Sequence, residues 1–308
     1  MDKPRIPRSR RKRPTGPLFY ALKPYQDIFP VHIREMEYRH LSAQGSFELH
    51  NQLRSRYLHQ TQTVIIYLPP SYWTQPERRF PVLYAHDGNN LFDPATAFMG
   101  REWRLDETLE RLFEHKRLPE LIVVGIYNTS ERFEDYTWHA SRYNGYPCGG
   151  QGPAFARFVA EELKPWIDGH YRTLAEAHFS GLLGSSLGAM SSFYIGMAYP
   201  QLFSRLALMS PTVYWAQHQI LKDCLHFPRG FQIWIDIGTE EGQDPNTEET
   251  VSSTLALVHA LEAQGYERDH DLIYYVDWFA GHDEIAWGKR VEKPLQFLFG
   301  GLKELLHS

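Results

Sequence analysis

The chain has 308 residues, 43% hydrophobic and 22% charged, which is ordinary globular composition with enough apolar material for a sizeable core. A net charge of -5 gives no general attraction to nucleic acid or to anionic membrane. No stretch approaches the roughly 18 apolar residues of a membrane helix, and two cysteines, Cys148 and Cys224, are too few and too far apart for a disulfide framework or a metal-binding spacing.

The chain opens on a basic run containing Arg5, Arg8, Arg10, Arg11, Lys12 and Arg13, which reads as a solvated tail. No apolar run of roughly 7–15 residues follows, so it is not read as a secretory signal. With the sparse cysteines, this points to a reducing cytoplasm. Residues 1–45 are taken as tail and lead-in and 46–308 as the folded domain. Residues 63–68 (TVIIYL) are β-branched and stop at Pro69-Pro70, as a strand would. Residues 81–86 (PVLYAH) form a short apolar run closed by Asp87-Gly88-Asn89-Asn90, a turn signal. Helical spacing begins over 106–115, where Leu109, Leu112 and Phe113 share a stripe. Residues 121–127 (LIVVGIY) are apolar throughout, like a strand covered on both faces. A helix over 155–167, a strand over 178–183 and a helix over 187–199 follow. Strands are expected over 206–209, 231–237 and 272–276, with helices over 250–264 and 285–299. Alternation of this kind predicts an α/β fold, a mostly parallel sheet flanked by helices, with the ligand crevice beyond the carboxyl ends of the strands.

The residues just after the strands therefore matter most. Gly184-Ser185-Ser186-Leu187-Gly188 is a G-x-S-x-G match set between an apolar run and a helical pattern, the context a nucleophile elbow requires. Ser186 has the flanking glycines that a tight turn needs; Ser185 does not. A serine hydroxyl needs a general base. Of the later histidines, His282 lies in a loop after a late strand, whereas His259 falls mid-helix. The acid that orients the imidazole should follow 231–237, where Glu241 is the first choice and Glu240 and Asp244 are rivals. Oxyanion donors are expected at the backbone N–H of Leu187, after the nucleophile, and of Asn89, in the turn after 81–86. Asp87, Gly88, Tyr136, Trp215 and Trp287 are candidates for lining the substrate pocket, and Trp103 is a weaker one. Arg132 and Asp135 read as a structural pair. No cofactor and no metal are expected.

These landmarks resemble an esterase family that includes enterochelin esterases, S-formylglutathione hydrolase (esterase D) and feruloyl esterases. The similarity runs from about Thr63 to Leu298. It is carried by Val64-Ile65-Ile66-Tyr67-Leu68-Pro69-Pro70, by Tyr84-Ala85-His86-Asp87-Gly88-Asn89-Asn90 and by Glu161-Glu162-Leu163-Lys164-Pro165-Trp166. Gly184-Ser185-Ser186-Leu187-Gly188-Ala189, Ser210-Pro211 and Gly281-His282-Asp283 complete it. The resemblance implies the α/β-hydrolase fold and metal-free hydrolysis of carboxylic esters, with Ser186, Glu241 and His282 as the triad. It is nearest to the enterochelin-esterase-like branch, although Ala189 stands where a second glycine is expected. The lead-in of about 45 residues is shorter than the extra N-terminal domain of the longer enterochelin esterases, which argues against a siderophore trilactone. A small-molecule ester is the expected partner. Acyl transfer or peptide hydrolysis on the same site, and a non-catalytic binding protein, are the alternatives. The oligomeric state is not legible.

Overall fold

In the computed structural model, residues 32–34, 44–242 and 247–302 are described. The basic tail and Asp244 lie outside them.

In chain order the elements are β1 (His32–Arg34), β2 (Ser46–Leu53), β3 (Gln62–Leu68), β4 (Val82–Ala85), α1 (Leu105–Glu114), β5 (Ile122–Ile126) and α2 (Arg132–Tyr136). A hairpin follows, β6 (Ser141–Tyr143) and β7 (Tyr146–Cys148), turning on Asn144-Gly145 with both residues at positive φ. Then come α3 (Gly152–Arg157), α4 (Lys164–His170), β8 (Ser180–Ser185), α5 (Leu187–Ala198), β9 (Arg205–Met209) and α6 (Trp215–Asp223). The chain ends in β10 (Gln232–Glu240), α7 (Thr247–Ala263), β11 (Leu272–Gly281), α8 (Glu284–Arg290) and α9 (Glu292–Phe299).

Nine strands form one sheet in the order β1-β2-β3-β5-β4-β8-β9-β10-β11. From β5 to β11 all neighbours are parallel; β1, β2 and β3 extend the β5 edge antiparallel. Among its described residues the lead-in contributes one short strand, β1. Successive side chains leave a strand on opposite faces, so the continuous apolar runs supply two cores. Val64, Ile66, Val82, Tyr84, Val124 and Leu182 face one side, with Phe155, Phe158, Phe193 and Leu257 from the helices. Ile65, Leu83, Val123, Leu183 and Ala207 face the other, with Leu109 and Leu112 of α1 and Leu295 and Phe299 of α9. This is the α/β-hydrolase type of architecture, as expected.

Two helices depart from expectation. The predicted helix over 155–167 is the middle of a longer rod over residues 152–170, in which α3 and α4 are joined by a π-helical segment at Phe158–Leu163. Pro165 has no N–H, so an α ladder through this point would be one bond short, and the wider turn precedes it. The predicted helix over 285–299 divides at Val291 into α8 and α9; Pro294 then falls in the first turn of α9, where its missing N–H costs nothing. Cys148 and Cys224 are both free. No helix among the described residues is long and apolar enough to cross a membrane.

The topology selects one place for a ligand. β4 is flanked by β5 on one side and β8 on the other. The chain therefore leaves β4 in one direction and later fills the sheet in the other. Such a switch point opens a crevice at the carboxyl ends of the two strands. The Asp87–Asn90 turn follows β4, and Ser186 follows β8.

Candidate active site

β8 runs directly into Ser186, whose φ and ψ of 57° and -122° match neither helix nor strand. Holding a non-glycine residue there costs of the order of 1–3 kcal/mol, so the surroundings must impose it. They do so by close packing. A Cβ on Gly184 would lie 2.2 Å from the carbonyl carbon and oxygen of Gly188, and one on Gly188 would meet His86 Cβ at 3.0 Å. Both glycines are needed for strand and helix to cross this tightly. The corner projects the Ser186 side chain, partly exposed, from the first residue before α5. Ser185 is buried within β8 instead.

The Ser186 hydroxyl is hydrogen-bonded to Thr212 Oγ1 at 3.1 Å, and no hydrogen bond joins it to His282 among the described residues. The backbone N–H groups of Leu187 and Asn89 donate to no protein acceptor among the described residues. An N–H left free at a helix start is available to an incoming anion.

Two and three strands further along, at the carboxyl ends of β10 and β11, Glu241 and His282 meet. Glu241 Oε2 contacts His282 Nδ1 in a short hydrogen bond. Its other oxygen accepts from Gly238 N at 2.6 Å and from Ser210 Oγ at 2.7 Å. Glu240 is exposed; Glu241 is buried and is the carboxylate that touches the imidazole. The Ser210 hydroxyl is saturated. It donates to Glu241 and accepts from Trp287 Nε1 at 3.0 Å and Arg290 Nη2 at 2.7 Å. Arg290 also pairs with Asp236 of β10 through Nε at 2.9 Å. Asp283, next to His282, caps α8 by accepting from Ile285 N and Ala286 N, which fixes the loop that carries the imidazole.

The turn after β4 is held just as firmly. Arg132 grips Asp87 at 2.7 and 2.8 Å, and Asn128 Nδ2 adds a bond of 2.6 Å. Burial would raise the Asp87 carboxyl, but the Arg132 charge and these bonds outweigh it and hold it below the usual range. The expected Arg132–Asp135 pair does not form. Asp135 accepts from Thr129 Oγ1 at 3.3 Å, and burial pushes its carboxyl up to about 6. Asn90 Nδ2 reaches Glu284 Oε1 at 3.2 Å, so this turn is tied to the helix that follows His282.

The five residues expected to line a pocket expose little surface. Asp87, Gly88, Tyr136, Trp215 and Trp287 are all buried and engaged within the protein. Gly88 packs on β5: a Cβ there would lie 2.4 Å from the Gly125 carbonyl carbon. Tyr136 accepts from Asp87 N at 3.1 Å, and Trp215 donates to His139 O at 2.8 Å. Trp287 packs edge-on against His282 at 4.9 Å and is backed by Trp103. Tyr136, Trp215 and Trp287 satisfy their polar atoms inside the protein. Phe279 and Ile285, three residues before and after His282 in sequence, are exposed apolar side chains. Sequence reasoning gave Ser210 no role beyond a family landmark and passed over Thr212 and Arg290. Ser210 and Thr212 could have been found from their place just after β9, by the same strand-end rule that selected Ser186.

His86 lies beneath the turn. With its proton on Nδ1 it donates to Leu183 O at 3.1 Å and accepts from Ser191 Oγ at 2.9 Å. Burial lowers its pKa to about 4 from an ordinary value of 6.5. Between those values the unfolded chain binds a proton that the folded chain refuses, so stability rises with pH across that window. We expect the urea midpoint to fall between about pH 7 and about pH 4.5, with part of that fall missing from His86→Gln. Identical pH slopes for the two proteins would refute this.

Residues 55–298 match the family model described as "Putative esterase". The chain belongs to this esterase family. The esterase is similar to the uncharacterized protein YbbA of Bacillus subtilis (strain 168), 27% identical over 246 residues, covering 76% of this chain and 91% of that protein. It is similar to the ferri-bacillibactin esterase BesA of the same organism, 26% identical over 182 residues, covering 54% of this chain and 60% of BesA. Among solved structures, the enterobactin esterase of Shigella flexneri superposes with a TM-score of 0.65 at 18% identity, covering 85% of this chain and 61% of that one. At that identity the structural likeness is one of fold. Membership of the family makes the chain a hydrolase of ester bonds.

Proposed function

We propose that this esterase hydrolyses a small-molecule carboxylic ester through an acyl-enzyme, with Ser186 as nucleophile, His282 as general base and Glu241 as the acid that orients it. The observation that carries the reading is the buried Glu241 clamped on His282 Nδ1, at the strand ends where Ser186 occupies a strained strand-to-helix corner. A carboxylate on Nδ1 fixes the tautomer that leaves Nε2 free to accept a proton, and it stabilises the imidazolium that results. Catalytic hydrogen bonds often close only when substrate is bound. The resting Ser186–Thr212 bond is compatible with a rotation of the Ser186 hydroxyl towards His282.

Each step balances. Ser186 Oγ forms a bond to the ester carbonyl carbon as its proton passes to His282. The carbonyl oxygen becomes an oxyanion, held by the N–H groups of Leu187 and Asn89. The carbon–oxygen bond to the alcohol breaks, and the alcohol leaves with the His282 proton. Water then repeats the sequence on the acyl group and frees Ser186. Phe279 and Ile285 offer apolar surface to the carbon skeleton of the substrate. Two of the similar proteins, the ferri-bacillibactin esterase and the enterobactin esterase, are named for different esters, and only the ester bond is carried over to this chain.

A fluorophosphonate tests this directly. Incubated with the protein at neutral pH, it should form one adduct, and peptide mass spectrometry should locate that adduct on Ser186. Failure to label, with ester turnover intact, would remove the serine mechanism; failure of both would favour a binding protein.

A further inference from the structure

Thr212 lies in the short segment that follows β9, between two groups of the proposed site. Two residues earlier, Ser210 binds Glu241. Thr212 itself binds Ser186: Oγ1 lies 3.1 Å from Ser186 Oγ, and its backbone N–H donates to Ser186 O at 3.4 Å. The Thr212 carbonyl accepts from Trp215 N at 3.1 Å, at the start of α6, and Pro211 restricts the backbone just before it. The side chain is buried. Its position is therefore set by the protein before any substrate arrives.

The proton inventory gives the direction of the bond. Two hydroxyls share one hydrogen bond, so one of them donates. Among the described residues Thr212 Oγ1 has no other partner. If Ser186 donated to it, the Thr212 proton would be buried without an acceptor, which folded proteins avoid. With Thr212 donating, its proton is satisfied and the Ser186 proton is free for His282.

We infer that Thr212 is a further catalytic residue, whose hydroxyl donates to Ser186 Oγ and stabilises the negative charge that builds on that oxygen as its proton leaves. This rests on Ser186 being the nucleophile. The proton moved is Ser186's own; Thr212 keeps its proton throughout. The same charge returns to Oγ when the acyl-enzyme breaks down and Oγ is the leaving atom, so Thr212 serves both halves of the reaction. A fixed dipole aimed at developing charge needs no reorganisation during the step.

Thr212→Val keeps the shape and removes the hydroxyl; Thr212→Ser keeps the hydroxyl and removes the methyl group. We expect T212V to lower kcat on a short p-nitrophenyl ester and the rate of fluorophosphonate labelling in parallel, by about 10- to 100-fold, with KM nearly unchanged. T212S should restore both to within about threefold of the parent. Circular dichroism checks folding; if T212V does not fold, Thr212→Ala set against T212S makes the same comparison. Parent-like rates in T212V, or equal losses in T212V and T212S, would overturn the assignment, because the hydroxyl would then carry no share of the chemistry. A rate increase in T212V would overturn it too, making the bond a restraint. Full turnover by Ser186→Ala would instead bring down the nucleophile on which the inference rests.

Discussion

Ser186→Ala is expected to lower kcat on a short p-nitrophenyl ester by about 10⁴- to 10⁶-fold, the scale seen when a triad nucleophile is removed. A smaller loss would be expected only if another group could attack. Ser185, the adjacent hydroxyl, is buried in β8. Some catalysis should survive, because the Leu187 and Asn89 N–H groups do not depend on the serine side chain. The fold should change little. Alanine has the same difficulty at φ 57° as serine, and the one hydrogen bond lost, to Thr212, is worth about 1 kcal/mol. Initial rates measured beside thermal unfolding separate the two effects. A variant that folds normally and still turns over near the parental rate would place the nucleophile elsewhere.

Arg290→Met is expected to have the largest effect on stability, about 3–5 kcal/mol in urea denaturation at neutral pH. Total stabilities of about 5–15 kcal/mol make that a large fraction. Arg290 and its partner Asp236 are buried almost completely, at 2% and 0% side-chain exposure. Burial raises the Asp236 carboxyl, and Arg290 is the charge that offsets this. Methionine fills much of the space and leaves the carboxylate unpaired. Asp236 is then driven further toward its neutral form, so the deficit should shrink as pH falls. The double variant Arg290→Met, Asp236→Leu should recover a good part of the loss, since an apolar pair of similar volume often matches a buried ion pair. An R290M protein as stable as its parent would show that Asp236 finds another partner. Activity should suffer as well, because Arg290 Nη2 supports the Ser210 hydroxyl that holds Glu241.

The strands were the most legible part of the chain. Residues 121–127 are apolar on both faces, the pattern of a strand covered by helices on both sides. The hairpin at Asn144-Gly145 was equally readable in principle, since that dipeptide matches a tight turn with two positive φ values. It was passed over because the flanking strands are three residues each and exposed, with no apolar alternation to announce them. Arg132 shows the opposite failure. A nearby carboxylate, Asp135, looked like its partner, but Asp135 accepts from Thr129 Oγ1 instead. Arg132 instead reaches Asp87, 45 residues away in sequence.

By itself the amino-acid order determined the α/β alternation, the glycine-flanked corner at Ser186 and the shortlist of acids and histidines at strand ends. These follow from local rules: side-chain periodicity, backbone freedom and the need for a base near a serine. Only the tertiary structure set Glu241 rather than Glu240 against His282, gave Arg132 to Asp87, buried the aromatics expected to line a pocket and brought Thr212 to Ser186. Those outcomes depend on which side of the last residue of a strand faces the crevice and on what packs behind it. Contacts between chain segments tens of residues apart decide both, and no local pattern records them.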